Sequence, residues 1–204
     1  MYKNPDGSRE IDGDPDRIIR SCDESLSRLG TDVIDLFYLH RVDHRVPVEE
    51  SVGAIDQLIS QGKVRYAGLS EVSQSTLERA RSVTAIHALQ SEYSLWSRRV
   101  EDDILYYCRD YGIALVAYSP VGRGFLAGGV RKMGQLSECD IRHGMPRFQD
   151  NAFENNLRVL EQVELLGLRW GMTLAQVCLN WLWSRGEHVG AIPGTSNLSH
   201  WRDD

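Results

Sequence analysis

Apolar positions along the chain follow two rhythms, one of period near 3.6 and one of short continuous runs, and they alternate from end to end. Asp14-Pro15 predicts a helix start, with Asp as cap and Pro at the first helical position; Ile18, Ile19, Cys22, Leu26 and Leu29 then share a face until Gly30 stops it. Residues 33–39, VIDLFYL, hold one charge, Asp35, and are rich in β-branched and aromatic residues. They predict a strand buried on both faces of a parallel sheet, with His40 at its carboxyl end. A helix over about 48–61 with Val52, Ile55 and Ile59 on one side ends at Gly62, and strand KVRYAGLS (63–70) follows. Next come a helix over 73–82 capped by Ser73, strand IHALQSEYS (86–94), a helix from about Val100 to Tyr111 stopped at Gly112, and strand IALVAYSP (113–120).

Residues 121–150 carry glycines early, have no clear period and end polar, so they predict a long excursion rather than an ordinary βα loop. Loops of that length tend to be functional. Two helices close the pattern, about 151–168 with Leu157, Leu160, Val163 and Leu166 on one stripe and 174–185 capped by Thr173. The short strand HVGAI (188–192) then runs into PGTSNLSHWRDD. Five strands alternating with helices demand parallel crossovers and an α/β fold in one domain over 1–204. A doubly wound sheet and a (β/α)8 barrel both fit, although the first should carry a Gly-rich turn after its opening strand and no GxGxxG occurs.

Composition narrows the partners. With 204 residues, 42% hydrophobic, 25% charged and a net charge of −6, the chain reads as an ordinary globular domain. No basic cluster interleaves with aromatics, which argues against nucleic acid. No apolar run is long enough for a membrane span, and the polar start MYKNPDGSRE does not resemble a signal peptide, so the expected location is cytoplasmic. Cys22, Cys108, Cys139 and Cys178 share no metal-ligand spacing; the first, second and fourth read as small core residues and Cys139 as a free thiol in a polar loop. Asn197-Leu198-Ser199 matches the glycosylation triplet by accident, given no secretory signal.

Chemistry gathers at the strand ends, where ligands bind in parallel α/β proteins. These ends carry His40-Arg41, Ser70-Glu71, Gln90, Tyr118-Ser119-Pro120 and Pro193-Gly194-Thr195. Tyr118 can stack on a flat ring, and Gln90 and Ser70 can bond a carboxamide that both donates and accepts. The segment SPVGRGFLAGG (119–129) offers Arg123 and a flexible backbone that can approach a phosphate closely.

The segments IDLFYLHR, GKVRYAGLSE, LQSEYSLWSR, GIALVAYSPVGRGFLAG and AIPGTS together resemble the aldo-keto reductases, in particular the NADP(H)-dependent branch that carries EYSLW and AYSPLGRGFL. The resemblance implies a (β/α)8 barrel that binds an extended nicotinamide dinucleotide, NADP(H), and reduces a small-molecule carbonyl substrate. In that reading His40 orients the substrate carbonyl, Ser70 and Gln90 hold the nicotinamide carboxamide, and Tyr118 stacks on its ring. Ser119, Val121, Gly122, Arg123 and Gly124 match the pyrophosphate loop, and Pro193, Gly194, Thr195 and Ser196 the start of the segment around the adenosine 2′-phosphate. Glu71 stands where many of the family have asparagine, Asp204 where an asparagine contacts adenine, and Ser196 lacks a cation used on the 2′-phosphate, which Arg202 could supply.

Of the family's catalytic set of Asp, Tyr, Lys and His, only the histidine is matched. The chain resembles strands four to eight of the barrel, an incomplete (β/α)8 fold of about two thirds of a ~300-residue barrel with extensions. Tyr38 shares a face with His40 but lies about 6–7 Å deeper along the strand, so it is a poor substitute for the general acid. Five strands also leave two open ladders, through which two copies could pair as a homo-oligomer. The alternative to a reductase is a non-catalytic nucleotide-binding or regulatory relative, or a non-functional truncation.

Overall fold

The computed structural model describes residues 2–3 and 9–203. Strands β1 (Tyr2–Lys3) and β2 (Arg9–Glu10) form a short antiparallel ladder that the polar opening of the sequence did not predict. The main chain then runs α1 (Pro15–Leu29), β3 (Ile34–Leu39), α2 (Val48–Ser60), β4 (Val64–Ser70), α3 (Gln74–Arg81), β5 (Ile86–Glu92), α4 (Ile104–Asp110), β6 (Ala114–Tyr118), α5 (Asp150–Trp170), α6 (Leu174–Trp183), β7 (Val189–Ile192) and α7 (Leu198–Asp203). The main sheet has the order β3-β4-β5-β6-β7, the sequential order expected of an incomplete (β/α)8 fold. Among the described residues no helix is long and apolar enough to cross a membrane. By contact density the chain divides into two compact units, Met1–Ser91 with Val100–Val116, and Glu92–Arg99 with Ala117–Asp204.

In the first unit the caps act as the sequence predicts. Asp14 accepts the Arg17 N–H at the start of α1, Gly30 ends the helix in a left-handed conformation (φ +65°), and Ser73 accepts from Thr76 at the start of α3. Val52, Ile55 and Leu58 of α2 are fully buried, each stabilising by about 1.5–3 kcal/mol relative to exposure. β3 and β4 pair in parallel with Tyr38 opposite Gly68 and Leu39 opposite Leu69, and β4 and β5 place Ser70 opposite Gln90. One expectation fails here. β3 is only half-buried, because it ends the strand order and one of its ladders is open; Asp35 is exposed and pairs with Arg65 at 2.5 Å. The predicted helix from Val100 also divides, into a 3-10 turn at Arg99–Glu101 and α4, whose first N–H is taken by the Asp103 carboxylate.

In the second unit, α5 and α6 pack on the segment between β6 and α5. That segment lacks period but is not loose: Phe125, Leu126, Val130 and Phe148 join Phe153, Leu160, Val163, Val177 and Cys178 in one buried cluster. Thr173 and Gln176 form a reciprocal capping box at the start of α6. The tail after β7 ends in helix α7, which was not predicted; Asn197 accepts the Ser199 N–H and serves as its cap. Cys22, Cys108 and Cys178 are buried and Cys139 is exposed, as their placement suggested, and burial pushes the Cys108 thiol up to about 12.

Candidate functional site

The first unit gathers its chemistry at the carboxyl ends of β3, β4 and β5. His40 follows β3 and is exposed; partial burial of its ring and the neighbouring Arg41 charge lower its pKa, which favours the neutral imidazole near pH 7. Arg41 ties two strand ends together, since its Nη1 donates to the His40 carbonyl at 2.6 Å and to Ser70 Oγ at 2.9 Å. Ser70 is almost wholly buried, and Gln90 sits beside it in register. The Gln90 carbonyl accepts the N–H of Glu71 at 2.9 Å, and Glu71 is in the left-handed region (φ +54°), so the chain leaves β4 in a sharp turn. His40, Ser70 and Gln90 are therefore neighbours along three consecutive strand ends, with Arg41 bonded to Ser70 in a role the sequence did not indicate.

The loop after His40 is anchored by Asp43, a buried carboxylate. It accepts from Arg45 Nε and Nη2 at 2.9 and 2.8 Å and from the N–H groups of Arg45 and Gly13. The Arg45 side chain foremost, then these N–H groups, hold its carboxyl well below the usual carboxylate range. Ser51 closes the clasp by donating to the Gly13 carbonyl at 2.7 Å. Tyr38 lines a small cavity of about 170 Å³ with His40, but its hydroxyl is buried with no hydrogen-bond partner and burial raises its pKa.

The second unit brings seven of the predicted residues together. Tyr118, Ser119, Val121, Arg123, Gly124, Gly194 and Thr195 line one cavity of about 580 Å³, drawn from the end of β6, the glycine turn and the end of β7. Thr173, Leu174 and Ala175 at the start of α6, and His200 on α7, also line it, with Pro120, Ala127, Gly129 and Ile192 between them. Among the described residues no carboxylate lines it, while Arg123, His200 and several hydroxyls do, which suits an anionic ligand carrying polar edges. Gly122 is buried just behind the lining, where a Cβ would meet Trp96 at 3.0 Å and Leu126 at 3.1 Å. Pro193 stays outside this lining, and Ser196 faces a separate shallow cleft with Thr195, Asn197 and Leu198. Arg202 is also outside the lining, where His200 stands instead; Asp204 lies outside the described residues.

The glycine turn is shaped by strain and by aromatic packing. Ser119 (φ +50°) and Arg123 (φ +56°) occupy the left-handed region, which costs a side-chain-bearing residue roughly 1–3 kcal/mol and persists only where neighbours enforce it. Trp96 supplies part of that enforcement: its ring stacks on Phe125 with centroids 4.5 Å apart, and its Nε1 donates to Asn156 at 3.0 Å. Trp96 thus packs as a buttress of the turn.

Comparison with known proteins agrees with this geometry. The model of the aldo/keto reductase family matches residues 2–204. A glycerol dehydrogenase from Gluconobacter oxydans is 28% identical with a TM-score of 0.90, over 100% of this chain and 63% of its own. A thermostable aldo-keto reductase solved with the inhibitor epalrestat is 30% identical (TM-score 0.74; 93% and 60% covered), and an aldo/keto reductase from Klebsiella pneumoniae solved with NADP and acetate is 28% identical (0.66; 90% and 56%). The chain spans less than two thirds of the length of each of these structures. Strand-end chemistry, glycine turn and a match along nearly the whole sequence converge on one assignment: the chain belongs to the aldo/keto reductase family.

Proposed function

We propose that this chain binds NADP(H) and carries the carbonyl-orienting histidine of an aldo-keto reductase acting on small aldehydes or ketones. The observation that carries the reading is the cavity lined by Tyr118, Ser119, Arg123, Gly124 and Thr195, with no carboxylate among its described lining residues, an environment that fits a flat, polar, phosphate-bearing ligand. Homologous structures solved with NADP and with NADPH support the choice of nucleotide.

When bound, the nicotinamide supplies a hydride to a carbonyl carbon. The chain's own groups bind and orient. Tyr118 offers a ring face for stacking, and Ser70 and Gln90 offer a donor and acceptors for a carboxamide. The Ser70 hydroxyl keeps its own proton to donate, because its oxygen accepts from Arg41. His40, neutral near pH 7, donates an N–H to a substrate oxygen without adding net charge. Arg123 and the hydroxyls of Ser119 and Thr195 meet the phosphates. Gly122 and Gly124 spend their N–H groups on the carbonyls of Ser119 and Val121, so their part is shape.

One observation favours the non-catalytic alternative for the chain by itself. A general acid contributes about 10²–10⁴-fold, and the Tyr38 hydroxyl, buried and raised in pKa, is not set to act as one.

The test is a titration with NADPH that follows cofactor fluorescence and the thermal midpoint together. Saturation at 100 times Kd should raise the midpoint by about 5–10 °C, from about 2.7 kcal/mol of linkage at 2–4 °C per kcal/mol. Absence of saturable binding refutes the proposal. Turnover of an aldehyde panel then separates reductase from nucleotide-binding relative.

A further inference from the structure

The glycine turn that walls the second unit's cavity is gripped from outside by a pair that does not itself line that cavity. Residues 122–124 pass through three successive left-handed conformations, φ +58°, +56° and +83°, and the middle one is Arg123, which has no glycine's freedom. The carbonyl of Arg123 accepts from Arg142 Nη1 at 2.9 Å, nineteen residues away. Arg142 is itself locked in a fork on Asp140, Nε to Oδ1 at 2.9 Å and Nη2 to Oδ2 at 2.7 Å, and its backbone N–H donates to the same Oδ1 at 2.9 Å. Only 23% of the Arg142 side chain and 18% of the Asp140 side chain are exposed. The Arg142 guanidinium also stands 3.7 Å from where a Gly124 Cβ would be, and on the other side Trp96 stands 3.0 Å from a Gly122 Cβ. The turn is clamped between an indole and a guanidinium.

We propose that Arg142, oriented by Asp140, is a positioning residue: it acts through the Arg123 carbonyl to hold the glycine turn in the shape that binds the phosphates of the nicotinamide dinucleotide. This rests on the NADP(H) reading of the cavity. Two mechanisms for Arg142 make opposite predictions. A guanidinium acting as a distant counter-charge would bind phosphate better once Asp140 stops neutralising it. A guanidinium acting as a brace would bind phosphate worse, because its fork has lost the partner that aims it. The observed pairing, neutralised and directed at a backbone carbonyl, is that of a brace.

The bond held by Arg142 supplies a second readout, for the Arg123 carbonyl belongs to the Arg123–Gly124 peptide, which trypsin cleaves. The experiment measures NADPH affinity by cofactor fluorescence, and, without nucleotide, the rate of tryptic cleavage after Arg123 relative to cleavage after Lys132. It compares the 204-residue protein with its Asp140→Asn, Arg142→Gln and Arg142→Lys variants. Loss of one charge-assisted hydrogen bond should weaken NADPH binding about tenfold in Asp140→Asn and Arg142→Gln and speed cleavage after Arg123 by a similar factor. Arg142→Lys keeps the cation but not the fork and should fall between, with a loss of about threefold; it decides the matter if Arg142→Gln does not fold. Glu164→Gln, which breaks the Arg131–Glu164 pair beside the same segment, should move neither readout.

Tighter or unchanged NADPH binding in Asp140→Asn, or unchanged cleavage after Arg123 in both Asp140→Asn and Arg142→Lys, overturns the proposal. Failure of the unsubstituted protein to bind NADPH refutes the cofactor reading instead. In that case faster cleavage in the variants supports the brace on the turn, and unchanged cleavage overturns it as well.

Discussion

Gly68→Ala tests whether the close approach of β3 and β4 beneath the first unit's site has the geometry described. Gly68 faces Tyr38 in register, and a Cβ at Gly68 would lie 2.5 Å from Tyr38 Cε1, 2.6 Å from Cδ1 and 3.1 Å from Cζ. Non-bonded carbons rest at about 3.5–4.0 Å, so the ring must retreat by about 1 Å. The atoms in the way belong to the body of the ring rather than to a flexible end, and the flanking Ala67 and Leu69 are fully buried. Overpacking of this kind costs about 1–3 kcal/mol, against a gain of about 0.5–1 kcal/mol from replacing glycine within a strand. We therefore expect a net loss of about 1 kcal/mol and a midpoint lower by about 2–4 °C, read by urea unfolding and calorimetry. The β4–β5 register already shifts at Ala67/Gly68, so displacement there should reach Ser70, two residues on, and weaken NADPH binding too. In a Tyr38→Ala background the cost of the added methyl should fall by at least about 1 kcal/mol, since the obstacle is gone. A Gly68→Ala protein as stable as the parent, or one equally destabilised in both backgrounds, would refute the reasoning.

Two further outcomes follow from the same geometry. The His40 ring protons should titrate in NMR with a midpoint below the ordinary 6.5, and Arg41→Met should raise it; because the folded value is depressed, protonation opposes folding, so stability is full above the ordinary histidine pKa and falls as pH drops through the window down to the folded value. A midpoint at or above 6.5 contradicts the environment described. Thr173→Ala removes the capping oxygen that accepts the Gln176 N–H at 3.1 Å and should cost about 1 kcal/mol by calorimetry, with weaker NADPH binding because Thr173, Leu174 and Ala175 wall the cavity, whereas Thr173→Ser should retain both.

What could be read from the sequence, and what could not, divides along a physical line. Local signals carried the alternation of strands and helices: Asp14, Ser73 and Thr173 cap, Gly30 and Gly112 stop, and each acts within a few residues of itself. The strand ends followed, since a parallel sheet puts successive ends on the same side whatever the loops do. Burial of β3 did not, because an apolar run reports that a strand can be buried and says nothing of which ladder is open. Residues 121–149 concealed their core for a related reason: Phe125, Leu126, Val130 and Phe148 are anchors set by tertiary packing, with no period to announce them. Arg142 was invisible because its partner is a backbone carbonyl, which leaves no mark on the residue type that bears it. That His200 lines the cavity where Arg202 was expected to supply a cation turns on a helix that was not foreseen. With 3.6 residues per turn, residues two apart point about 200° from each other, so α7 can present only one of the two to the cavity, and its phase presents His200. Recognition of Asn197 as a helix cap rather than as a chance triplet would have set that phase from the sequence, and with it which side chain of α7 joins Thr195 in the cavity lining.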